Sequence, residues 1–353
     1  MIVTRARSAS AAERAESSKD EGVRSRWKGH AGMRVLVLGA SGTIGSAVVH
    51  ALTSAGHAAV GLVRPGKSAA LRRACPDAEW REGFATDPSS LRAQGLRGER
   101  FDALISCMAS RSGVPSDAWH VDYHAHRDAL HAAQQSGIAH FVLLSALCVQ
   151  KPLLAFQQAK RAFELLLCAS GMSYAIVRPT AFFKSLAGQI ARVRAGKAFL
   201  VVGDGRLTRC TPISDRDLAV FIVRCLQDAD LHQRILPIGG PGPAISPLEQ
   251  AEILFALLRQ PPRIRKIPVM VLDLIVGGLS AGSRLLPRLA VPAELARIGR
   301  YYARESMLVL DPVTGCYDAK LTPSTGTDTL ADFYAAVLDG RESLPSRGEH
   351  AVF

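Results

Sequence analysis

An α/β fold, a doubly wound parallel sheet carrying a smaller C-terminal cap, is what this sequence predicts, on three observations. The apolar run MRVLVL stops at a glycine-spaced turn, GASGTIG, and a helical pattern begins at once. Short apolar runs then alternate with helical patterns as far as Val177, the rhythm of strand, helix and parallel strand. The chain has 353 residues, 48% of them apolar, which suffices for about two domains around a sizeable core.

The first turn is the most specific element. Gly39 permits a tight turn after the strand, Gly42 leaves room for a pyrophosphate against the backbone, and Gly45 lets helix pack closely on strand. Phosphates would sit on the helix N-terminus, so Ser41, Thr43 and Ile44 join the three glycines as the expected cofactor-binding set of a Rossmann-like unit. The second strand, 58–63, ends at Arg64, where NAD binders usually carry an acidic residue for the ribose hydroxyls. A cation there, with Lys67 close behind, suits a 2′-phosphate and favours NADPH over NADH. At the end of the third strand, Phe84 or Ala85 falls where an acidic residue often reads the adenine, so this chain departs from the wider pattern on that side.

Further strands are expected at 101–108, 140–147 and 174–177, with helices at 119–135 and 156–167. Functional groups of a doubly wound sheet gather at the carboxyl ends of its strands. That places residues 107–110, 145–148 and 178–180 beside the cofactor, with Ser110, Ser145 and Pro179 as expected contacts. The division that follows is a cofactor domain at 33–235, with a cap segment inserted around 183–212, a C-terminal substrate cap at 236–342 and a tail at 343–353.

Residues 1–32 are rich in Ser, Ala and Arg, lack hydrophobic periodicity and precede a second methionine, Met33, so they read as a disordered extension. Glu13, Glu16, Asp20 and Glu21 count against an organelle transit peptide, which makes plastid targeting the less favoured reading and a cytoplasmic location the expectation. Seven cysteines with no CxxC pair indicate neither a zinc site nor a disulfide framework, and no metal site is assigned. The net charge of +12 is spread along the chain without a basic run among aromatics. It points away from nucleic acid and toward an anionic small molecule or an anionic membrane surface.

The chemistry turns on a residue that is absent. Short-chain dehydrogenases use Tyr-x-x-x-Lys on the helix after the fifth strand, the tyrosine protonating a carbonyl oxygen. Here that place reads FQQAK, with Phe156 in the tyrosine position and Lys160 four residues on, sharing its helix face. A phenyl ring cannot protonate an alkoxide, so alcohol and ketone chemistry loses its acid while Lys160 can still hold the nicotinamide ribose. Reduction of a conjugated carbon–carbon double bond fits, because hydride addition then puts charge on a delocalised system. The proton could come from water, Lys160 or Cys148, and the sequence leaves those three open.

Longer motifs carry a family resemblance. HFVLLSALCVQKPLLAFQQAKRAFE at 140–164, RPTAFFKSLAGQ at 178–189, GDG at 203–205, PIGGPG at 237–242 and SPLEQ just after resemble the NADPH-dependent divinyl chlorophyllide a 8-vinyl-reductases, atypical short-chain dehydrogenases, over about residues 33–279. The resemblance implies reduction of the 8-vinyl group of a magnesium chlorin, divinyl chlorophyllide or protochlorophyllide, to ethyl in chlorophyll or bacteriochlorophyll synthesis. By that resemblance Cys148, Lys151, Phe156, Lys160, Arg178 and Phe183 line cofactor and chlorin, with Lys160 and Cys148 as the catalytic pair. Other classes stay in view: another atypical reductase of a conjugated double bond, and a sensor or assembly protein that binds NADPH without turnover.

Two cap features complete the expectations. His120, His124, His126 and His131 are candidate axial ligands for a chlorin magnesium, but their spacing spreads them round a helix, and surface histidines are the simpler reading. The run IPVMVLDLIVGGL at 267–279 is too short to span a bilayer and is flanked by Arg263, Arg265, Lys266, Arg284 and Arg288. A buried cap helix is the simpler reading there, and an interfacial helix on a photosynthetic membrane the alternative. Oligomeric state is not legible.

Overall fold

The computed structural model describes residues 32–343. Its strands of four or more residues are β1 (Arg34–Leu38), β2 (Ala58–Val63), β3 (Glu79–Glu82), β4 (Ala103–Ser106), β5 (His140–Leu144), β6 (Ser173–Pro179), β7 (Phe199–Val202), β8 (Arg234–Ile238) and β9 (Ile264–Ile267). Seven of them form one sheet in the order β3-β2-β1-β4-β5-β6-β8, each neighbouring pair parallel. The order reverses between β1 and β4, which makes the crevice above their carboxyl ends the natural ligand site of a doubly wound sheet.

A parallel sheet is buried on both faces, and β1 shows how the sequence meets that demand. Val35 and Val37 point into one core and Leu36 and Leu38 into the other, all four fully buried. The first core is closed by α1 (Thr43–Ser54), through Val48, Val49 and Leu52. On the other face α2 (His126–Gln135) contributes Ala129, Ala132 and Ala133, and α3 (Ala155–Cys168) contributes Phe163 and Leu167. A further helix, α4 (Asp215–Arg224), adds Leu218 and Ile222 beside α1. Truncating a leucine as buried as Leu36 costs about 2–5 kcal/mol.

Several expected spans change at their ends. The strand expected at 140–147 stops at Leu144, and Leu147–Gln150 coils into a 3₁₀ turn. The helix expected at 119–135 opens with a π-helical stretch, Trp119–Ala125, before α2. The last strand of the main sheet, β8, runs across the expected 235/236 boundary.

Beyond the sheet, β7 and β9 pair in parallel as a separate ribbon. Phe199 and Val201 of β7 share a small core with Leu254 and Phe255 of α5 (Pro247–Leu257). Three longer helices follow, α6 (Val269–Leu285), α7 (Ala290–Tyr302) and α8 (Leu330–Leu338), the last closing that core with Tyr334. None of the residues of α6 is buried, which corrects the simpler reading of a buried cap helix. Among the described residues no helix is long and apolar enough to cross a membrane. The extension at 1–32 and the tail at 343–353 fall, but for their inner end residues, outside the described residues.

Candidate active site

The phosphate cradle follows from the turn after β1. Gly39 has φ of +73°, and a Cβ there would stand 2.7 Å from the carbonyl carbon of Cys107 at the end of β4. On Gly45 a Cβ would come within 2.2 Å of the Gly39 carbonyl oxygen, so helix and turn meet without room for any side chain. Gly42 caps α1 without a side-chain hydrogen bond, and no acid stands in the first turn. The N–H groups of Thr43 and Ile44 therefore face no competing side-chain acceptor, and the positive end of the helix is open to a phosphate. Arg64 is exposed just past β2, and its guanidinium forms no salt bridge among the described residues. This donor set fits a phosphorylated dinucleotide.

Lys160 is held from inside. Its Nζ lies 3.0 Å from Oδ1 of Asp122, a carboxylate that the π-helical stretch carries beneath the site. Asp122 also accepts from the Ser110 amide at 3.2 Å and the Ser110 hydroxyl at 2.6 Å. Lys160 is only 8% exposed, so it is not a solvated surface lysine. Ser110, Asp122 and Lys160 thus form one network at the carboxyl end of β4. Below it His126 meets the Ser106 hydroxyl at 2.9 Å, and burial pushes its imidazole down to about 4, keeping it neutral.

Cys148 follows β5 and is fully covered by Tyr301, Tyr302, Met307 and the partly buried Phe156. Burial raises its thiol, so it stays protonated. The Tyr302 hydroxyl donates to Cys148 Sγ at 3.7 Å, and the Tyr301 hydroxyl donates to the Cys148 carbonyl at 3.2 Å. Burial lifts Tyr302 well above the ordinary phenol value. Tyr302 also lines a cavity of about 910 Å³, counting its open mouth, walled by Leu186, Val202, Leu207, Arg209 and Met307. Its largely apolar wall suits an organic ligand. Tyr302 stands between Cys148 and this space.

Other expected residues lie elsewhere. Ser145 gives its hydroxyl to Glu164 at 2.6 Å, and Arg178 forks onto the same buried carboxylate, with Nε 3.0 Å from Oε1. Arg178 is therefore a structural partner beneath the sheet and not a wall of the cavity. Phe183 is a core residue of the cap, 3% exposed, its ring tilted against Phe333 at 5.6 Å, and it does not line this cavity. Lys151 pairs with Glu305, a cavity residue, at 2.7 Å. Pro179 is buried at the end of β6. Of the candidate magnesium ligands, His120, His124 and His131 are exposed on the helix surface, His126 is buried under β4, and none lines the cavity. Asp122 and Tyr302 were not found by sequence reasoning: Asp122 reaches Lys160 on another helix and Tyr302 reaches Cys148 from the cap, and nothing in local spacing marks either.

With this geometry in place, the comparisons are specific. The NAD(P)H-binding family matches residues 39–229. Rice divinyl chlorophyllide a 8-vinyl-reductase, a chloroplastic protein, is 47% identical over 334 residues, covering 90% of this chain and 82% of the rice chain. The chain belongs to the divinyl chlorophyllide a 8-vinyl-reductase family. A more distant relative, the photosystem II assembly factor Ycf39 of Synechocystis, is 27% identical and covers 68% of this chain and 72% of its own. Among solved structures, the NADPH-dependent quinone oxidoreductase QOR2 of Escherichia coli superposes with a TM-score of 0.62 at 19% identity, over 87% of this chain and all of that one, and confirms the Rossmann-like fold. The cofactor is a nicotinamide dinucleotide. The chloroplastic name of the rice enzyme overturns the expectation of a cytoplasmic protein with plastid targeting less favoured.

Proposed function

We propose that the chain reduces the 8-vinyl group of divinyl chlorophyllide a, or of the corresponding protochlorophyllide, to ethyl with NADPH. The observation that carries this is Phe156: the position that would hold a carbonyl-protonating tyrosine is apolar and packs beside Cys148, while Lys160 keeps its place. NADPH, bound at the glycine turn, supplies the hydride. Gly39, Ser41, Gly42, Thr43, Ile44 and Gly45 hold the phosphates, Arg64 reads the 2′-phosphate, and Lys160, oriented by Asp122, holds the nicotinamide ribose. The seven-stranded sheet is the cofactor half, and the cap, with its cavity, takes the chlorin.

Hydride addition to the vinyl group leaves a carbanion delocalised into the macrocycle, and a proton must follow to complete the ethyl group. We assign its delivery to Tyr302, which lines the cavity and whose protonated hydroxyl meets the protonated thiol of Cys148. Lys151 holds Glu305 against the cavity wall rather than meeting the chlorin itself.

The test is an anaerobic incubation of the full chain with NADPH and divinyl chlorophyllide a, NADH in a parallel tube, and separation of the pigments by chromatography. Monovinyl product, formed faster with NADPH, is expected. NADPH that binds without product formation would replace this reading with the sensor or assembly class.

A further inference from the structure

We propose that the outer face of α6 is a docking surface for an anionic lipid bilayer. A helix on the outside of a protein normally turns its polar side chains to water and its apolar ones inward. In α6 the outer face breaks that rule. Asp273, its side chain 36% exposed, turns toward α7, accepting from Arg300 at 2.5 Å and Arg304 at 2.8 Å, and Ser280 meets Arg297 of α7 at 3.0 Å. Met270, Leu274 and Leu285 face out, 73%, 73% and 84% exposed, at positions i, i+4 and i+15 that fall on one stripe with Ala281 between them. Over 17 residues this stripe is about 25 Å long.

Charge selects the occupant. Arg265 and Lys266 lie exposed just before the helix and Arg284 and Arg288 at its far end, and none of the four forms a salt bridge among the described residues. An apolar stripe between unneutralised cations is the pattern of a helix lying in the headgroup plane of a negatively charged membrane. A second copy of this chain would bring the same cationic rim against itself.

The position gives the contact a purpose, and this part rests on the vinyl-reductase reading. Pro268 joins α6 directly to β9, which pairs with β7, and Val202 at the end of β7 lines the cavity. The partner helix α7 ends in Tyr302 on the same cavity. Docking would bring the cavity wall to the surface where an apolar pigment dissolves.

The experiment pellets the full chain with pigment-free vesicles, either phosphatidylcholine alone or phosphatidylcholine mixed with phosphatidylglycerol. Binding is expected to the anionic vesicles, to weaken with salt, and to fall about tenfold in the Met270→Glu/Leu274→Glu variant, with NADPH fluorescence showing that the variant is folded. No binding by the parent chain, or equal binding by the variant, overturns the proposal. Self-association abolished by the same substitutions would assign the face to a second copy. Without pigment present, failure here leaves the vinyl-reductase reading standing, and a chain without turnover would leave the docking face standing.

Discussion

The sheet half and the cap handle polarity in opposite ways. In the sheet half, charges that leave water meet partners inside the chain, Lys160 with Asp122 and Arg178 with Glu164. In the cap, α6 pairs its partly exposed carboxylate with α7 and leaves Met270 and Leu274 in solvent, and a largely apolar cavity opens elsewhere in the same half. The first arrangement is explained by the chain alone. The second makes sense only with something outside the chain, a ligand in the cavity and a surface against the helix.

Substitutions can break this contrast, and the largest effect is expected inside the sheet half. Removing Lys160 leaves Asp122 as a buried charge bonded only to Ser110, so Lys160→Ala should destabilise the fold by about 3–5 kcal/mol in denaturant titrations. The double change Lys160→Ala/Asp122→Ala should recover part of that loss. A Lys160→Ala variant as stable as the parent would dissolve the network and with it the claim of internal self-sufficiency.

Next comes chemistry at the border of the two regions. Tyr302→Phe should lower kcat by roughly 10²–10⁴ with NADPH affinity unchanged, since only the hydroxyl that meets Cys148 is lost. An unchanged rate would hand proton delivery to water. In the cofactor crevice, Arg64→Ala should weaken NADPH by about tenfold, about 1.4 kcal/mol, and leave NADH almost unaffected. Equal losses for both cofactors would make Arg64 a general phosphate contact.

A pH dependence confined to the sheet half is also expected. His126 is held neutral, with its imidazole at about 4 when folded against about 6.5 when unfolded. The unfolded chain therefore binds the extra proton first as the pH falls. Stability should be fully present above about pH 6.5 and decline by about 3 kcal/mol toward pH 4, and His126→Gln should flatten that limb of the curve.

How much of this the sequence disclosed follows the same division. The glycine turn, the strand at 58–63 and the Lys160 position are local signals, set by spacing over a few residues, and they appear where spacing placed them. Arg178 and Phe183 do not line the cap cavity, and a motif position says nothing of which way a side chain turns. Arg178 meets Glu164 across a strand and a helix, and Phe183 meets Phe333 from the far end of the chain. Tyr302 was illegible for the same reason: its partner Cys148 is 154 residues away. In α6 the hydrophobic run is visible in the sequence, but burial is the simpler expectation, and only the exposure of Met270, Leu274 and Leu285 shows which face is open.

The most direct test of the central claim follows the atoms. NADPH carrying deuterium at the transferable C4 position would be incubated anaerobically with divinyl chlorophyllide a, and the recovered pigment examined by mass spectrometry. A monovinyl product with a single deuterium in its 8-ethyl group, the other added hydrogen coming from solvent, is the expected result. No monovinyl product, or product without the label, would contradict hydride transfer from the cofactor held at the glycine turn to the vinyl group of the chlorin.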